Sequence, residues 1–164
     1  MKTCLLLNAM VLMISTNALA QKEQLYGTWR LVTAVTTVVA TGEKYDRYGK
    51  APNGFITYGP ESRMQVIITS GPRLKPSHPT IEEMSDKETR ELMMTLTAYA
   101  GTYDFDGKTI THHIDVSWNE VYNGTDLVRD VRLDAGRATF TTKPTPDNKT
   151  GKVTTTTLVW EKVK

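Results

Sequence analysis

Short segments of alternating apolar and polar residues, separated by turn residues, follow one another along almost the whole chain, and this pattern admits few folds. Nine such segments are read, at residues 26–39, 43–48, 55–58, 63–69, 101–105, 109–118, 126–133, 137–143 and 152–163. Alternation with a period of two marks strands that bury one face. Asp106-Gly107 and Ala135-Gly136 supply the tight turns of antiparallel hairpins. Threonine is the compositional outlier at 26 of 164 residues, and its β-branched side chain favours strands. Consecutive antiparallel strands leave exposed edges unless the sheet closes on itself. The expected fold is therefore all-β, an antiparallel up-and-down barrel of about 8–9 strands in one domain. A barrel of roughly eight strands is about wide enough to hold one small ligand.

One stretch departs from this pattern. Gly71-Pro72, Pro76 and Pro79 make residues 70–84 an irregular loop, because proline lacks the N–H that a ladder needs. Ser85 and Glu88 then form the two ends of a capping box. The spacing predicts one inserted helix over about residues 86–98, with Leu92, Met93 and Leu96 on one face. Together with the proline loop, its Met93-Met94 pair would suit a lid over a barrel end.

The first twenty residues read as an address. Lys2 begins a short positive start, residues 4–14 are apolar apart from Asn8, and Ala18-Leu19-Ala20 ends the stretch. These are the parts of a secretory signal peptide, and the run is too short to span a bilayer. Residues 1–20 are thus expected to be removed, leaving residues 21–164 as an exported barrel domain, periplasmic or secreted, with no stable membrane anchor. The single cysteine, Cys4, would leave with the signal, so the mature domain would hold together without disulfides. A formal charge of +2 argues against a dedicated nucleic-acid binder. A monomer is expected.

Candidate site residues come from strand phase. In residues 109–118, Ile110, His112, Ile114, Val116 and Trp118 share one face. The next strand repeats the pattern, with Arg129 alternating among Leu127, Val131 and Leu133. A histidine and an arginine on apolar faces need partners, from the protein or from a ligand. Two readings stay open: the pair bonds within the protein and fixes register, or it orients the polar end of an otherwise apolar ligand. Tyr103 and Trp118 are further candidates for the ligand wall. His113 and Asp115 lie two apart on the opposite face, as metal ligands do, but zinc needs at least three protein ligands and no third is indicated. Should the phase be inverted, His113 with Asp115 becomes the inward pair, and His113 joins the ligand set. No metal or cofactor is called for, and no Gly-x-Ser-x-Gly elbow, phosphate loop or His-Glu-x-x-His motif is present.

Gly27-Thr28-Trp29 resembles the Gly-x-Trp motif that opens the first strand of lipocalins. More closely, the chain resembles the bacterial lipocalin-like domain family, a branch of the calycin barrels, over residues 27–32, 53–59, 97–103, 111–118 and 124–129. Thr125-Asp126 is similar to the Thr-Asp of a second lipocalin motif. The resemblance implies a barrel whose interior accepts a small apolar molecule. It also implies that Gly27 and Trp29 build the closed end, with Trp29 beside a basic residue of the last strand. No arginine follows Trp160, and the nearest basic residue is Lys162. Three functions follow as expectations: a binder of a small hydrophobic or amphipathic molecule, an isomerase- or cyclase-like barrel enzyme using His112 and Arg129, and a structural barrel with a filled core.

Overall fold

The hairpin signals and the alternation place strand after strand in one sheet. The structure is a computed structural model that describes residues 21–147 and 150–164, so the expected signal segment lies outside the described residues. Its strands are β1 (Gly27–Val38), β2 (Lys44–Asp46), β3 (Asn53–Tyr58), β4 (Arg63–Thr69), β5 (Leu96–Phe105), β6 (Thr109–Ser117), β7 (Asp126–Asp134), β8 (Arg137–Thr142), β9 (Thr145–Pro146) and β10 (Val153–Lys162). Eight of them close an antiparallel barrel in the order β1-β3-β4-β5-β6-β7-β8-β10, with β10 pairing back onto β1. The short strands β2 and β9 extend the sheet at the far ends of β1 and β10.

The two barrel ends differ. Tight turns join β3 to β4, β5 to β6 and β7 to β8 at the end where β1 begins. The long connections, at residues 39–52, 70–95, 118–125 and 143–152, all lie at the other end. That end is the mouth. The opposite end is closed by residues 21–25, which are helical and bury Leu25. Trp29 is 3% exposed there; its indole N–H donates to the Leu25 carbonyl at 2.8 Å. The Lys162 ammonium sits 5.3 Å from the centre of the Trp29 ring and donates to the Gln24 carbonyl at 3.0 Å. Lys162 thus stands where the resemblance requires a basic residue. Gly27 has φ of +105°, a conformation glycine adopts without steric cost, and this turns the chain from the helical segment into β1.

Three local expectations are corrected. Helix α1 (Asp86–Met94) begins with the expected capping box, in which Glu88 N donates to Ser85 Oγ and Ser85 N to Glu88 Oε2. It ends four residues early, because Thr95 turns its hydroxyl onto the Glu91 carbonyl at 2.6 Å and Leu96, Thr97 and Ala98 pair with Thr69, Ile68 and Ile67 of β4. Strand β5 accordingly starts at Leu96 rather than Gly101.

The other two corrections are β-bulges, where an extra residue reverses the phase of a strand. In β1 the pairing passes from Leu31–Trp160 to Thr33–Val159, so Val32 is extra. The buried set is Trp29, Leu31, Ala34, Thr36 and Val38, and Thr33 and Val35 leave the inner face. In β6 the pairing passes from Gly101–Ile114 to Ala100–Val116, leaving Asp115 extra. Ile110, His112 and Ile114 point inward, while Val116 is turned out and 58% exposed. A Cβ on Gly101 would lie 1.9 Å from the His113 carbonyl oxygen, so this approach admits only glycine.

Candidate functional site

A cavity of about 270 Å³ opens from the mouth into the barrel. Ile56, Val66, Ile68, Leu127, Phe140 and Leu158 form its apolar walls, with Trp160 among its lining residues toward the closed end. Three of the four long connections reach its rim, through Arg47 and Tyr48, Trp118 and Tyr122, and Thr145, Pro146 and Asp147. Arg47 and Asp147 form an ion pair there. The fourth connection, which carries α1, contributes no lining residue, so the lid expected from Met93-Met94 does not cover the cavity.

His112 and Arg129 both line this cavity. His112 is 0% exposed. Arg129 Nη1 is 3.2 Å from His112 Nδ1 and donates to the Leu127 carbonyl at 3.1 Å, while Nη2 donates to the Tyr99 hydroxyl at 3.1 Å. The Tyr99 oxygen is also 3.2 Å from His112 Nδ1. On the other side of the ring, His112 Nε2 is 2.8 Å from the Tyr58 hydroxyl. A guanidinium only donates, so Nδ1 must be the acceptor and Nε2 carries the proton, which it gives to Tyr58. Burial, reinforced by the Arg129 charge, holds the imidazole well below its usual pKa. His112 is neutral. Burial likewise raises the Tyr58 and Tyr99 hydroxyls above the ordinary tyrosine range.

This cluster satisfies His112 within the protein but leaves Arg129 without a counter-charge: among the described residues no carboxylate lies within ion-pair distance of it. Two further donors are left over. The indole N–H groups of Trp118 and Trp160 are buried and have no hydrogen-bond partner, and both residues line the cavity.

The remaining candidates lie elsewhere. Tyr103 is buried beneath the cavity, with its ring edge-on to Tyr58 at 4.9 Å and its hydroxyl donating to the Gly59 carbonyl at 3.0 Å. It does not line the cavity. His113 faces outward, with Nδ1 2.7 Å from Asp126 and Nε2 3.1 Å from Asp104. Asp115, which the alternation puts on the same face as His113, is instead the extra residue of the bulge and pairs with Arg63. Hydrogen bonds to Asp126 and then Asp104 raise the His113 pKa. Both of its nitrogens are thereby engaged, and among the described residues no group of three or more potential metal ligands forms.

Tyr48, Thr97, Tyr99, Thr142, Thr154 and Thr156 add to the polar lining and are not among the ligand residues expected from the sequence. A signal for Tyr99 was present: Thr97, Tyr99, Gly101 and Tyr103 alternate, but the segment was assigned partly to the helix.

A closed eight-stranded antiparallel barrel with one mouth and an interior cavity is the architecture of the ligand-binding barrels. Residues 26–163 match the lipocalin-like domain, and the chain belongs to that family. No curated protein matches the chain.

Proposed function

We propose that this protein binds one small, mainly apolar molecule inside the barrel, with the polar end held on the wall formed by Arg129, His112 and Tyr99. The single observation that carries this reading is the cavity, about 270 Å³, with apolar and aromatic walls among which Arg129, His112 and Tyr99 stand together. Ligand pockets have this composition, and drug-sized ligands occupy roughly 300–1,000 Å³, so the occupant is a small one. The same space supports a binding barrel over one filled by its own side chains.

The hydrogen bonds of His112 favour binding over the enzyme reading: its Nδ1 accepts from Arg129 and its Nε2–H points to Tyr58, so the ring supports the position of Arg129.

We further propose that the protein is exported as a monomer and that cleavage falls after Ala20. The support is the charged start, apolar run and Ala-x-Ala end of residues 1–20. Such a cut would keep Lys22, Gln24 and Leu25, which contact Ser62, Lys162 and Trp29 at the closed end.

Native mass spectrometry of protein purified from its own source tests the binding reading. The expected result is a species heavier than the chain by one small molecule, lost on mild activation. A chain of bare mass only, under conditions that preserve other barrel complexes, would contradict it.

A further inference from the structure

Among the described residues, the buried side-chain polar atoms that line the cavity and lack a hydrogen-bond partner are both donors, the indole nitrogens of Trp118 and Trp160. Beside them Arg129 brings a positive charge, half-buried, with no carboxylate of the described residues at ion-pair distance. Its neighbours cannot supply one: His112 is neutral, and the hydroxyls of Tyr58 and Tyr99 are held protonated by burial. Among the described lining residues the one acid, Asp147, is paired with Arg47. To this charge are added the indole N–H groups of Trp118 and Trp160, buried and unpartnered. Trp160 is 1% exposed, so bulk water does not serve its N–H. A buried donor left unsatisfied is costly, and a charged donor more so.

From this imbalance we infer that the ligand is a small organic acid, bound as its anion, with the carboxylate on Arg129 and oxygen acceptors available to the indoles of Trp118 and Trp160. The inference rests on the reading of the cavity as a binding site and adds to it the chemical class of the occupant. Charge complementarity gives the sign. The cavity carries a net positive charge from Arg129 alone, and a carboxylate meets a guanidinium through two parallel charge-assisted hydrogen bonds. Arg129 is also oriented for this role, since the Leu127 carbonyl, the Tyr99 hydroxyl and His112 Nδ1 hold its guanidinium from the protein side. An alcohol or hydrocarbon of the same length would fill the apolar wall and leave that charge unmatched. The volume, about 270 Å³, limits the acid to a single alkyl chain of moderate length or a single ring system.

Decanoate and decan-1-ol are a matched pair of probes, nearly equal in size and different in charge. Their affinities are measured by calorimetry at a pH where decanoate is ionised, together with the three indole N–H resonances in nitrogen-edited NMR. Decanoate is expected to bind at least about tenfold more tightly than decan-1-ol. The Trp118 and Trp160 indole signals should shift on binding, while the Trp29 signal, whose N–H is already given to Leu25, stays in place. Arg129→Met should abolish the preference for the acid and retain binding of the alcohol. Equal or tighter binding of decan-1-ol, or an acid preference that survives Arg129→Met, overturns the inference about ligand class and leaves the cavity as a binding site for neutral molecules. Binding of neither probe overturns both. The comparison of probes on the unaltered protein, and its indole signals, decides the matter even if the Arg129 variant fails to fold.

Discussion

The Arg129 guanidinium lies 3.2 Å from His112 Nδ1, and this contact sets the protonation of the whole interior cluster. A cation that can only donate requires the lone pair of Nδ1, so the proton sits on Nε2 and points at Tyr58. The tyrosine oxygen is then the acceptor for a fully buried N–H. Tyr58→Phe removes that acceptor without opening a large cavity. The expected cost is about 1–3 kcal/mol, the usual penalty for stranding a buried polar group. Urea unfolding measures it, and an unchanged stability would show that Nε2 is not the protonated nitrogen.

His112 and His113 are adjacent in sequence and titrate in opposite senses. The folded-state pKa of His112 is lowered by burial and by Arg129, so below the unfolded value of 6.5 the unfolded chain binds a proton that the folded chain refuses. Its contribution therefore falls as pH drops below 6.5, with a limiting slope of about 1.4 kcal/mol per pH unit. The folded-state pKa of His113 is raised by Asp126 and Asp104, so it stabilises the fold below 6.5 and loses that effect as pH rises through the raised value. His113 is 38% exposed, and solvent screening keeps its effect small. The net expectation is acid destabilisation, steeper in His113→Gln than in the unaltered protein. A stability that rises on acidification through 6.5 would contradict the assignment of His112 as the buried, neutral ring.

Trp29 closes the barrel through its indole bond to Leu25 and its contact with Lys162. Trp29→Ala is expected to cost roughly 3–5 kcal/mol, the range for deleting a buried aromatic side chain. Denaturant unfolding is the measurement, and a loss below about 1 kcal/mol would remove Trp29 from the core.

Gly101 faces the bulge at Asp115 with no room for a methyl group, because the His113 carbonyl oxygen would lie 1.9 Å from it. Gly101→Ala must displace β6, and with it His112 and the wall of the cavity. A destabilisation of about 2–4 kcal/mol is expected, typical of a strained backbone site, and thermal unfolding would read it. A neutral substitution would mean that β6 slides without cost.

The barrel was legible because its evidence is repetitive: alternation, threonine content and tight turns all point to the same closed sheet, and an error in one strand does not alter it. The inward phase of His112 and Arg129 was legible for the same reason, each alternating with apolar residues of its own strand, buried beside His112 and half-buried beside Arg129. What escaped was local phase. A bulge adds one residue without any compositional mark, so Val32 and Asp115 look like ordinary members of their alternation. The consequence is that simple alternation puts Val116 on the inner face, whereas the bulge turns it out. The helix end escaped because Leu92, Met93 and Leu96 continue a helical stripe while Thr97, Tyr99 and Gly101 begin a strand, and pairing with β4 decides between them. Tyr58 could not be named as a partner of His112, since only the curled barrel brings a residue 54 positions away onto the imidazole; Tyr99 lies on the neighbouring hairpin strand, where the bulge at Asp115 hides the register.

The claim that the interior is a binding site is tested most directly by calorimetry of decanoate, or of decan-1-ol if it binds more tightly, against the unaltered protein and Leu127→Trp. Leu127 lies on the cavity wall and is only half-buried, so a larger side chain there fills the space while the barrel strands stay paired. The expected result is one ligand per chain for the unaltered protein and loss of binding in a Leu127→Trp variant that unfolds as cooperatively as its parent. Equal affinity in both proteins, or no binding to either, would contradict a ligand site inside the barrel.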